Sequence, residues 1–187
     1  MKLRNKYYIM RHGQAISNVK EIVSCWPERF QNPLTKHGRE QVKAAALKIK
    51  EKSIDLIFCS PILRTKQTAE IVGGKLKIKP RVDKRLVEQN AGIFNGQSLQ
   101  SLISFFGEKT IKRFTLRPKK GETYIEIERR MVGCLKAIDR KYKGKNILII
   151  SHELPLLFLD CAVKGISNKD FYTKREKINT AEFKELN

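Results

Sequence analysis

Three runs of consecutive apolar residues punctuate an otherwise mixed chain: Tyr7–Met10, Leu56–Cys59 and Ile147–Ile150. None alternates with polar residues, which is the pattern of strands buried on both faces. Between and after them, apolar positions recur at steps of three and four, as Val42, Ala45, Ala46 and Ile49, and again as Tyr124, Ile127, Met131, Leu135, Ile138 and Tyr142. That spacing lays an apolar stripe along each of two helices. Strand followed by helix, repeated, predicts an α/β fold: a three-layer sandwich with a mostly parallel central sheet flanked by helices. Asn179–Leu186 reads as a closing edge strand and Ile78–Val82 as another short one, although Pro80 removes a ladder donor there.

At 187 residues the chain suits one compact domain, 1–187, and no repeat, low-complexity tract or linker divides it. Lys and Arg number 39 against 19 Asp and Glu, a formal net charge of +20, so anionic partners are expected. No stretch approaches the ~20 apolar residues of a membrane helix. The N-terminal MKLRNKYYIM runs directly into a strand pattern instead of a signal-peptide core, which predicts a cytoplasmic protein. Cys25, Cys59, Cys134 and Cys161 lie far apart, without a C-x-x-C pair or His at ligand spacing, and read as reduced small hydrophobes.

Ligands of open α/β sheets gather at the carboxyl ends of the parallel strands. Here those ends carry Arg11-His12-Gly13, Ser60-Pro61 with Arg64 one turn on, and Ser151-His152. Ser60 reads as a helix N-cap and Pro61 as the first helical residue, so that Arg64 leans back over a helix end already attractive to anions. Two guanidiniums and two imidazoles suit the oxygens of a phosphoryl group, because the guanidinium fork matches paired phosphate oxygens. The third histidine, His37, sits among Lys36, Gly38 and Arg39 and reads as an exposed turn residue.

These segments resemble the histidine phosphatase superfamily, which includes the cofactor-dependent phosphoglycerate mutases and acid-phosphatase-like enzymes. The resemblance runs through Arg11-His12-Gly13 and Asn18, Pro33-Leu34-Thr35 and Gly38, Ser60 to Ala69, Leu86-Val87-Glu88 with Gly92 and Gly96, Gly121-Glu122-Thr123, and Ser151-His152. It implies a phosphoglycerate mutase-like fold and a phosphatase acting on a small phosphate monoester. His12 is then the nucleophile that forms a phosphohistidine, Glu88 the general acid, and Arg11, Arg64, His152 and Asn18 bind substrate. Neither a metal nor a cofactor is required in this scheme. The alternative is a phosphoglycerate mutase, but such mutases generally carry a longer insertion after the acid loop, and here 32 residues (89–120) separate Glu88 from Gly121.

Three positions depart from the family pattern: Gln14, where Glu is common; Thr123, where Ser is common; and Glu153, where Gly often follows the second histidine. Glu153 either repels a phosphate or turns outward to complement a helix dipole. The run Lys109–Lys120, KTIKRFTLRPKK, holds six basic residues and no acidic one. It reads as a solvated basic face or as a binding surface for the remote part of an anionic substrate. A basic nucleic-acid-binding protein is the rival class, yet the charge is spread along the chain and no base-reading motif or specific nucleic-acid partner is indicated.

Overall fold

The computed structural model describes residues 1–187 and forms a single α/β domain with a five-stranded sheet in the order β3-β2-β4-β1-β5. The apolar runs are the inner strands: β1 (Lys6–Arg11), β2 (Leu56–Cys59) and β4 (Asn146–Ser151). β4 lies between β1 and β2, parallel to both, with Met10 beside Ile150 and Cys59 on its other side. Alternate residues fill opposite faces, which is why the middle positions of these strands are all apolar. Tyr7, Ile9, Ile147 and Ile149 pack into one core, and Tyr8, Met10, Leu148 and Ile150 into the other.

Each face is covered by a pair of helices. α2 (Lys36–Lys50) and α3 (Leu63–Leu76) contribute Val42, Ala46, Ile49, Ala69 and Val72 to the second core, completing the stripe expected around Val42. α5 (Tyr124–Lys141) and α6 (Glu153–Lys164) cover the other face, with Ile127, Met131, Leu135 and Ile138 buried. α5 starts in a capping box, in which Thr123 Oγ1 accepts from Glu126 N while the Glu126 carboxylate accepts from Thr123 N at 2.9 Å. Thr123 thus does the work of a capping Ser. The remaining helices are the short α1 (Ile16–Lys20), α4 (Leu99–Phe106) and α7 (Phe171–Lys174).

Both edge strands form, shorter than expected. β5 (Phe183–Glu185) pairs antiparallel to β1, and β3 (Arg81–Val82) begins immediately after Pro80, whose missing N–H bars an earlier start. His37 is exposed as expected, but it lies in the first turn of α2 and not in a loop. Gly13 and Gly38 let the end of β1 abut the start of α2: a Cβ on Gly38 would lie 2.0 Å from Gln14 O, and one on Gly13 would lie 2.5 Å from Gly38 O. No helix is long and apolar enough to cross a membrane.

Candidate active site

The ends of β1, β2 and β4 bring His12, Arg64 and His152 into one buried cluster. His12 follows β1 directly, and its Nδ1 lies 2.7 Å from Gly13 O. A carbonyl only accepts, so Nδ1 carries the proton and Nε2 keeps its lone pair. That lone pair accepts a hydrogen bond from Arg64 Nε at 3.0 Å. Burial, and then the positive charges of Arg64 and Arg11, hold the His12 pKa well below the ordinary imidazole range. His12 is therefore neutral, with one nitrogen committed to the backbone and the other turned to the cluster.

Arg64, 3% exposed, is the hub. Its NH2 lies 2.9 Å from His152 Nδ1 and donates to Ser24 O at 3.0 Å, while its NH1 donates to Ser24 Oγ at 3.1 Å. His152 Nδ1 must then be the acceptor, which leaves Nε2–H to donate to Ser60 Oγ at 3.0 Å. Burial and the Arg64 charge keep this second imidazole neutral too, and the two rings meet edge to face with centroids 5.2 Å apart.

The role expected for Ser60 is corrected here. α3 begins at Leu63, two residues later than Pro61 suggests, and its cap residue Ile62 offers no side-chain oxygen. The Leu63 N–H is satisfied instead by the Glu28 carboxylate at 2.9 Å. Ser60 Oγ accepts from Ile62 N at 3.3 Å, just before the helix, and with its other lone pair orients His152. Arg64 consequently reaches across to the histidines and does not fold back over exposed helix N–H groups.

Glu88 arrives on the loop after β3, with one oxygen accepting from Gln89 N at 2.8 Å and the other 3.9 Å from His152 Nδ1. Enclosure raises its pKa, with Arg64 opposing in part, so its protonated form persists above the ordinary glutamate range. Arg11, at the end of β1, donates from NH1 to Ile178 O at 2.8 Å and pairs with Glu153 at 2.5 Å. Its Nε is buried with no partner in the protein, a donor that a phosphoryl oxygen would satisfy. Glu153, the first residue of α6, does not turn outward; Arg11 neutralises it against the cavity wall.

Arg11, His12, Ser24, Arg64, Glu88 and Glu153 line a cavity of about 500 Å³, while Ser60 and His152 lie behind this wall, His152 against Arg64. Asn18 lines it as well: its Oδ1 accepts from Ala15 N at 2.8 Å, while its amide group makes no hydrogen bond within the protein. Gln14 points elsewhere, accepting from Thr35 Oγ1 at 2.8 Å. Of the basic run Lys109–Lys120, only Arg113 reaches the cavity. Lys119 and Lys120 are exposed and do not line the cavity. The backbone here is tied down where Lys119 O accepts from Ile93 N and Lys120 O from Asn90 Nδ2. Ser24, Tyr124 and Arg175 also stand at or beside the cavity, and no local motif marks them.

Residues 7–186 match the model of the histidine phosphatase superfamily, branch 1. Among curated proteins, phosphoserine phosphatase 1 of Hydrogenobacter thermophilus is 22% identical over 90% of this chain and 80% of its own. The probable phosphoglycerate mutase GpmB of Escherichia fergusonii is 28% identical over 85% of this chain and 74% of its own. A mycobacterial glucosyl-3-phosphoglycerate phosphatase superposes with a TM-score of 0.80 at 22% identity, covering 96% of this chain and 90% of that one. The alpha-ribazole phosphatase of Shigella flexneri does so with a TM-score of 0.81 at 22% identity, covering 95% and 88%. With nearly its whole length matched and its two neutral histidines gathered around one arginine, the chain belongs to the histidine phosphatase superfamily.

Proposed function

We propose that the protein hydrolyses a small phosphate monoester through a phosphohistidine. The observation that carries this reading is the state of His12: neutral, with Nδ1–H tied to Gly13 O and the Nε2 lone pair directed into a cluster of cations. An incoming phosphoryl group takes over the Arg64 Nε–H that this lone pair accepts, and binds Arg11 Nε as well. Nε2 then attacks phosphorus in line; the N–P bond forms as the P–O bond to the alcohol breaks. Arg11 and Arg64 share the charge on the equatorial oxygens, held in place beforehand by Ile178 and Ser24, while His152, oriented by Ser60, backs Arg64 through its Nδ1 lone pair. Asn18 offers its free amide N–H groups to the same group.

Glu88 supplies the proton that the departing alkoxide needs, since burial keeps its acid form available. As carboxylate it next takes a proton from water, whose oxygen attacks phosphorus; the N–P bond breaks and inorganic phosphate leaves with His12 restored. The four free, buried cysteines support a reducing, cytoplasmic setting.

A second reading is phosphoryl transfer within a mutase, favoured by the probable phosphoglycerate mutases among the relatives. Hydrolysis fits better because Asn18, Glu21 and Leu99 on the cavity wall are exposed, which gives water access to a phosphohistidine. The test is incubation with a panel of monoesters, and with 3-phosphoglycerate plus a trace of 2,3-bisphosphoglycerate, following inorganic phosphate and 2-phosphoglycerate together. Phosphate release, abolished in a folded His12→Ala variant, is the expected result. Rapid isomerisation with little phosphate released overturns it, as does acid-labile phosphorylation trapped on a residue other than His12.

A further inference from the structure

The phosphoryl cluster occupies only part of the cavity. Ile22 and Val23, with Leu99, Leu102 and Ile103 from α4, give the rest an apolar wall. Two further guanidiniums, Arg113 and Arg175, line it too, and neither shares a hydrogen bond with the phosphoryl cluster or an ion pair with any carboxylate. Both lie over aromatic rings. Arg113 lies 4.8 Å from the Phe106 ring centroid and donates to Tyr124 Oη at 3.3 Å and Gly107 O at 2.9 Å. Its Nε is buried with no partner. Arg175 lies 4.8 Å from the Phe171 centroid and 5.1 Å from that of Tyr172.

Phe106 packs with Phe105 and Phe94, but the Tyr124 hydroxyl that Arg113 also reaches belongs to the ring group beneath Arg175. The Phe171 and Tyr124 centroids are 6.0 Å apart, and Tyr172 hydroxyl donates to Thr110 O at the start of the Arg113 turn. The two guanidiniums therefore flank the same aromatic cluster. Arg175 lies three positions before Ile178, whose carbonyl accepts from Arg11, so the Cα atoms of Arg175 and Ile178 are at most about 11 Å apart. The second cationic group thus stands within a small molecule's length of the first. Of the carboxylates on the wall, Glu88 and Glu153 belong to the phosphoryl end, and Glu21 is exposed to water.

We propose that the substrate is a phosphate monoester whose alcohol carries an apolar body and, at its other end, a second anionic group, a carboxylate or phosphate, bound by Arg113 and Arg175. This rests on the phosphatase reading for the first phosphate and adds the chemistry of the remainder. Half-buried, unpaired guanidiniums stacked on rings lose little freedom on binding an anion, and their forks match either group.

The experiment compares alkylphosphonates with ω-carboxyalkylphosphonates and α,ω-bisphosphonates of equal chain length. These resist hydrolysis, so titration calorimetry reads binding to the intact protein independently of turnover. A second charged hydrogen-bonding group is expected to tighten binding by about tenfold to a hundredfold. The larger gain, carboxylate or phosphonate, identifies the distal group. In Arg175→Gln and in Arg113→Gln the ratio is expected to fall towards one, with part of it kept in Arg175→Lys. Arg175 makes no side-chain hydrogen bond, so its replacement keeps the test valid even if Arg113→Gln fails to fold. Equal affinity for all three ligands in the unaltered protein, or a preference that survives Arg175→Gln, overturns the proposal. The matched phosphate esters are assayed in parallel: a binding preference without phosphate release from any ester defeats the phosphatase reading and leaves the distal site standing.

Discussion

Replacing Glu88 with Gln removes a proton source while leaving the local structure in place. One Glu88 oxygen accepts from Gln89 N at 2.8 Å, a bond that a Gln carbonyl oxygen keeps; the other oxygen, 3.9 Å from His152 Nδ1, becomes an amide. Burial raises the Glu88 pKa, and an amide of the same shape keeps the contact with Gln89 N while lacking a proton to give. Binding is therefore expected to change little and the loss to fall on kcat. General acid catalysis is worth about 10²–10⁴-fold. For a simple alkyl phosphate the expected loss is about a thousandfold, or roughly 4 kcal/mol of transition-state stabilisation. For p-nitrophenyl phosphate, whose phenolate leaves without much help, it is at most about tenfold.

The pH dependence carries the same signature. A group with a raised pKa holds its proton to higher pH than usual and loses it as pH climbs through that raised value, so Glu88 produces an alkaline decline in kcat with alkyl phosphates. His12, with its pKa lowered, becomes protonated only well below the ordinary imidazole range, so any acid decline from this group lies at low pH. Glu88→Gln is expected to abolish the alkaline decline and to leave the acid one. Steady-state kinetics on both substrates across pH tests this. Equal losses on both, or an unchanged alkaline limb, would refute Glu88 as the acid.

Ser24→Ala takes away the hydroxyl that accepts from Arg64 NH1 and from Asn32 Nδ2 but spares the carbonyl that accepts from NH2, so kcat/KM is expected to fall about tenfold, with Ser24→Thr restoring much of it; a fall in melting temperature without a fall in kcat/KM would mean that Ser24 only supports the fold. Gly38→Ala forces a Cβ to within 2.0 Å of Gln14 O, a backbone atom that cannot swing aside, and is expected to cost about 3 kcal/mol, visible by calorimetry as a drop of about 10 °C in melting temperature. A melting temperature within about 2 °C of the unaltered protein would show that the junction of β1 and α2 is looser than the structure describes.

The layered fold and most of the phosphoryl cluster were legible in the linear chain because their signals are local. A strand buried on both faces must be apolar at every position, so Tyr7–Met10, Leu56–Cys59 and Ile147–Ile150 announce themselves, and the residues that follow such strands fall at the ligand-binding edge. His12, Arg64 and His152 were found by that reasoning. Contacts made across the chain leave no such trace. Glu28 caps α3 from 35 residues away, so Ser60, read as the cap, instead accepts from Ile62 N ahead of the helix and meets His152. Ser24 grips Arg64 across 40 residues, and Glu153 is turned inward only because Arg11 of β1 stands opposite α6. Within the basic run, six similar cations are indistinguishable in sequence. The packing of Phe114 into the aromatic core directs Arg113 to the cavity, where Arg175 from the far end of the chain joins it, while Lys119 and Lys120 stay in solvent. Periodicity and strand-end position set the architecture and the reacting groups; the path of the folded chain decides which charges face one another, because that depends on distances that sequence separation does not encode.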